Sequence, residues 1–203
     1  VSLLMNWAID TYSDVLGKDF YLLFFNSFLL AFITSMLAVG IALFMSYSNR
    51  NNQLLLNKIM VRLVSMGYAI PGTVIAVGVL IPFAWFDNSL DNFLIQNFNI
   101  SSGLLVSGTV FILIFAYLVR FLAVSINTVE AALVKIKPVM DEVAKTTGMR
   151  ANNIIKSIHI PMMRGSLLTA SLLVFVDVLK ELPATLILRP VSYTHLTLPT
   201  TPY

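Results

Sequence analysis

Three ionisable residues stand inside an apolar run late in the chain: Asp177, Lys180 and Glu181. Spaced i, i+3 and i+4, they share one face if the run is helical. Charges within a membrane segment are costly and are candidates for a solute path by default. The alternative is a buried network between helices in which Lys180 neutralises a neighbouring carboxylate. Their place toward the outer end of the run favours the network. Other chemistries find no support. The chain has no cysteine, which removes disulfides, thiolate metal sites and cysteine nucleophiles. No metal-binding pair, nucleophile elbow or close His–acid pair lies in the apolar runs, so a membrane enzyme is disfavoured. No GxxxxGK[ST] phosphate loop occurs, so no nucleotide or other cofactor is expected on this chain.

The elements that would position such charges are membrane helices. Of 203 residues, 58% are hydrophobic and only 11% charged, against about 25% charged in soluble domains. A span needs about 20 mainly apolar residues. Four windows qualify: Phe24–Ser46, Leu63–Phe86 interrupted by Pro71 and Pro82, Leu104–Ser125 containing Arg120, and Ser166–Arg189 containing the three charges. An all-α, polytopic membrane bundle follows. In the third window more than a dozen Leu, Ile, Val and Phe residues outweigh Arg120. Arg120 near one end of that window reads as an interfacial anchor that snorkels. Tyr47, Tyr68, Tyr117 and Trp85 read as belt or packing aromatics.

Connecting segments alternate in charge. Residues 1–20 sum to −2, and 87–102 carry only Asp87 and Asp91. Loop 47–62 carries Arg50, Lys58 and Arg62 without an acid, and segment 126–165 is also rich in Lys and Arg. The positive-inside rule puts the N-terminus outside and both basic segments inside. The first residues lack the basic start of a signal peptide. No Met opens the chain, which reads as part of a longer protein.

The long inner segment is polar and punctuated: "EVAKTTGMRANNIIKSIHIP" at 142–161. Pro138 suits a first helical turn, and Asp141 and Glu142 suit its positive end. Asp141 and Lys145 are spaced for an i,i+4 pair. Gly148 fits a left-handed C-terminal cap. A second short helix is expected from about Ala151 to Ile158, and Pro161 would open the fourth span. By charge pattern alone this could be a surface loop lying on lipid or a docking knob for a soluble partner.

Within that stretch Glu142, Val143 and Ala144 are followed by three residues, Gly148, nine residues, and then Ile158, His159, Ile160 and Pro161. The pattern resembles the E-A-A signature of permease subunits in binding-protein-dependent ABC importers. Val143 and Ile160 depart conservatively from that signature. Residues 26–47 and 65–80 resemble core helices of the same permeases, and "DVLKELPATLILRP" at 177–190 resembles the iron(III) subgroup. The tail 191–203, which contains His195, departs from the pattern and reads as appended sequence. The organisation expected is thus a partial transmembrane domain over 1–190, with a coupling loop at about 126–165.

The resemblance implies a type I importer transmembrane core in a bacterial inner membrane. Residues 138–160 would be coupling helices seated on a dimer of cytoplasmic ABC ATPases. The docking set would be Glu142, Ala144, Gly148, His159 and Pro161, with His159 packing against the ATPase rather than binding a metal. Other implied partners are a periplasmic solute-binding protein and a second permease half, fused or separate; no nucleic acid is implied. The implied substrate is ferric iron, with Asp177, Lys180 and Glu181 as path candidates. Thiamine, phosphonate or polyamine importers are near alternatives, and a secondary transporter is a more distant one.

Overall fold

The computed structural model describes residues 18–51, 55–98 and 106–188. The acidic N-terminal stretch and the tail 191–203 lie outside the described residues. Every regular element among those described is helical: α1 Lys18–Asn51, α2 Leu55–Ser65, a 3-10 turn Gly67–Ala69, α3 Gly72–Phe98, α4 Val110–Leu133, α5 Pro138–Thr146, α6 Ala151–Ile154, a π-turn Ile155–His159, α7 Ile160–Lys180 and α8 Pro183–Ile187. Four helical stretches are long and apolar enough to cross a membrane: Phe20–Arg50, Gly72–Gln96, Val110–Leu133 and Ala151–Lys180. The chain is a polytopic α-helical membrane bundle.

α1, α4 and α7 pack against one another, with α4 in the middle. α4 buries Ile112, Ala116, Tyr117, Phe121, Ile126 and Val129 along its length. α1 meets its neighbours through the small residues Ala31, Thr34, Ser35, Ala38 and Ala42, all buried. Small side chains let helix backbones approach closely where no hydrophobic drive separates protein from lipid. Thr34 and Ser35 return their hydroxyl protons to the carbonyls of Leu30 and Phe32, at 2.8 and 2.9 Å. The opposite face of α1 exposes Leu29, Ile33, Met36 and Phe44, as a lipid-facing surface should.

The second crossing is a broken helix. The ring of Tyr68 lies 6.3 Å from that of Phe121, and Gly67 abuts the backbone carbonyl of Val119. Gly72, the first residue of α3, abuts Arg120, half-way along α4. Farther on, Phe83 packs on Phe111 and Phe115 near the start of α4. α2 and the 3-10 turn therefore cover one half of α4, and α3 starts at its middle. Pro71 interrupts this crossing, as the sequence indicates; Pro82 does not, and sits inside α3.

Two further boundaries differ from the sequence reading. The third span is Val110–Leu133 rather than Leu104–Ser125. Asp87 explains its start: its buried carboxylate accepts the backbone N–H groups of Val106 and Ser107 and the Ser107 hydroxyl, at 2.6–3.1 Å, fixing a turn ahead of the helix. Polar residues from Ser125 to Glu130 do not end the helix, because Ser125 is buried and Thr128 bonds back to Val124. The fourth crossing leaves the α7 helix at Lys180 instead of continuing to Arg189. Pro183 has no N–H and its ring would strike the carbonyl four residues back, and the backbone opens at Glu181 with ψ 92.

Candidate functional site

Two places gather the polar groups of the bundle. The first is the elbow beyond α4. Pro138 opens α5 at its first turn and Asp141 lies in that turn, as the sequence indicates. Gly148 has φ 80. Its N–H bonds to Lys145 O at 3.0 Å, and the N–H of Met149 bonds to Ala144 O at 3.1 Å. That pair of bonds is the Schellman closure, which needs a left-handed residue at the corner.

After the corner the backbone is helical without interruption from Ala151 to Lys180. Pro161 therefore does not open the fourth crossing. The helix widens into the π-turn Ile155–His159 just where the proline ring would meet the carbonyl of Ser157. Such bulges relieve a strained i→i−4 ladder.

α5 is almost unsupported by packing. Among its residues only Ala144 is buried, and it packs extensively against no other helix. Val139 and Val143 are 59% and 56% exposed, and Glu142 is exposed beside them. An open apolar groove of about 390 Å³ runs between Val139, Met140 and Val143 on α5 and Met149 and Ile158 beyond the corner.

Polar bonds hold this elbow to the bundle. Arg50, in the last turn of α1, donates from Nε to Asp141 Oδ2 at 2.9 Å, from Nη1 to Leu133 O at 2.5 Å and from Nη2 to Ile136 O at 2.8 Å. The other Asp141 oxygen lies 2.7 Å from Nε2 of His159. His159 is fully buried, and the ring of Tyr47 packs edge-on against it, 5.3 Å between centroids. Asn49 Nδ2 adds a 3.4 Å bond to Glu130.

The sequence reading missed Arg50 and the inward turn of His159. One oxygen of Asp141 meets Arg50 and the other meets His159, two partners far outside the local i,i+4 spacing. His159 is turned into the elbow and presents no surface outward. A buried histidine calls for a polar partner, which could have pointed to an acid; nothing in the local sequence points to Arg50, 91 residues from Asp141.

The second place is the break in the second crossing. Arg120 is the eleventh of the 24 residues of α4, in mid-helix. It is no interfacial anchor: its Nε lies 3.4 Å from Oε2 of Glu181, its Nη1 3.5 Å from the carbonyl of Ile70, and its guanidinium 5.5 Å from the centre of the Phe121 ring. Glu181 is buried, and its Oε1 faces Gly72 at the start of α3. A carboxylate there meets both a guanidinium and the positive end of a helix. A side chain at residue 72 would strike both charged groups.

Asp177, Lys180 and Glu181 do not form the expected single face. The helix ends between Lys180, which is exposed, and Glu181, which turns inward to Arg120. The carbonyl of Glu181 accepts the hydroxyl of Thr185, whose oxygen lies 2.6 Å from the Tyr117 hydroxyl. Tyr47 and Tyr117 are packing aromatics, whereas Trp85 is 71% exposed. No group of three or more His, Cys, Asp and Glu side chains able to hold a metal ion occurs among the described residues.

No protein-family model matches the chain. A curated relative is the Fe(3+)-transport system permease protein FbpB 2 of Haemophilus influenzae, 26% identical over 186 residues. The match takes in 92% of this chain and 33% of that protein. The chain thus spans about a third of the length of the curated relative it matches.

Proposed function

We propose that this chain is part of the permease of an ATP-driven importer. It lines the route through the membrane and takes its energy from a separate cytoplasmic ABC ATPase. The observation that carries the reading is α5: a short helix with Val139, Glu142 and Val143 facing outward, closed by a glycine corner and anchored at its base rather than packed along its side. Exposed valines next to an apolar groove suit a protein partner better than water.

Glu142 and the groove make the direct contacts with an ATPase in this reading. Ala144, Gly148, His159 and Pro161 shape the elbow from within. The basic segments support an orientation with this end of the bundle in the cytoplasm and the N-terminal end of α1 outside. The proposed substrate is ferric iron passed on by an external binding protein, a reading supported by the iron-permease relative. Glu181 belongs to the closing contact at the helix break, while Asp177 and Lys180 remain candidates for the path.

The test is co-purification of the full-length protein with the ATPase encoded beside it. Glu142→Lys combined with Gly148→Pro should abolish association while the bundle stays monodisperse in detergent. Retention of the ATPase by that double variant would refute the docking role.

A further inference from the structure

We infer that Arg50 is a positioning residue for energy coupling. Its three-way clamp makes the elbow and the inner ends of α1 and α4 one rigid body. The inference rests on the docking reading above and adds to it the route by which movement leaves the elbow.

α5 has one buried side chain and no extensive helix partner. Apolar packing therefore does not fix its direction. The guanidinium of Arg50 does so with one group. Two of its nitrogens hold the carbonyls of Leu133 and Ile136, where α4 ends and the link to α5 begins, and the third holds Asp141 in the first turn of α5. Asp141 passes the contact to His159, just before α7. Tyr47, one turn before Arg50 on α1, closes the set against the His159 ring.

The stretch from Leu133 to Asp141 and the residue His159 thus meet at the end of α1. Arg50 and Asp141 are only 18% and 13% exposed, so water competes weakly for their bonds. A force on α5 reaches α1 and α4 through this fork. Without it, α5 can swivel about the link at residues 134–137 and dissipate the movement. A lysine presents one compact ammonium instead of a planar fork and cannot hold all three acceptors in this geometry.

The experiment uses the full-length protein reconstituted with its ATPase in proteoliposomes, measuring substrate moved per ATP hydrolysed. Arg50→Ala should lower that ratio at least tenfold while the ATPase stays bound, and Arg50→Lys should recover only part of it. Asp141→Asn, which keeps the side-chain shape, should also lower the ratio and covers the case in which Arg50→Ala does not fold.

A second readout uses spin labels on Ser48→Cys and Thr146→Cys; these 203 residues contain no cysteine, and any thiol elsewhere in the full-length protein is replaced. The parent should give one narrow distance that is the same with and without trapped nucleotide. Arg50→Ala should broaden it. A normal ratio in Arg50→Ala or Asp141→Asn with ATPase bound, or a parent distance that changes with nucleotide, overturns the clamp and leaves docking intact. Failure of the parent to bind any ATPase removes the docking reading, and the clamp's coupling role with it.

Discussion

Single residues at the two polar centres carry unequal weight. Glu181 is buried against Arg120, and removing one partner of such a pair strands the other. Breaking a buried pair costs about 3–5 kcal/mol; Arg120 retains 21% exposure, so the lower end applies. Glu181→Gln should therefore lower the thermal midpoint in detergent clearly, and Arg120→Met with Glu181→Leu should recover most of the loss. At Gly148 the demand is conformational only, since a Cβ there meets open space but φ is 80. Gly148→Ala should cost about 1–2 kcal/mol and is checked by the same melts. The value of Gly148 was visible in its spacing from Pro138 and Ala151. The partner of Arg120 was not, because it depends on where two other helices break.

The elements divide into those built by packing and those built by polar bonds. α1 belongs to the first kind. Ala38 is fully buried between neighbouring helices, and overpacking such a contact costs about 1–3 kcal/mol. Ala38→Leu should destabilise the bundle by that amount, while Leu37→Ala on the exposed face should change the melt little. α5 belongs to the second kind: Val143→Asp should leave stability near the parent value and weaken ATPase binding, read by co-purification. The four crossings were legible because apolar length is a strong signal. Their ends were not: Asp87 caps a turn nineteen residues away in sequence, the π-turn carries the helix through Pro161, and Pro183 ends α7 earlier than hydropathy suggests. The broken second crossing was half legible, in Pro71 and Gly72, but only contact with Arg120 shows that α3 begins beside the middle of α4.

At the scale of the whole molecule, three tightly packed helices support one broken crossing and one projecting elbow. Under the proposed function this arrangement would act as a gate moved from one end. The alternation of charge between segments predicts the sidedness. These 203 residues contain no cysteine; with any thiol elsewhere in the full-length protein replaced, a Cys placed at Thr146 should react with an impermeant maleimide only when the cytoplasmic face is open, and one at Ser101 only from outside. The reverse pattern would invert the topology. The most direct test of the central claim is ferric-ion uptake by proteoliposomes containing the full-length protein, its ATPase and its binding protein. Uptake should require ATP and should stop when the ATPase is left out. Steady accumulation without the ATPase would contradict the account.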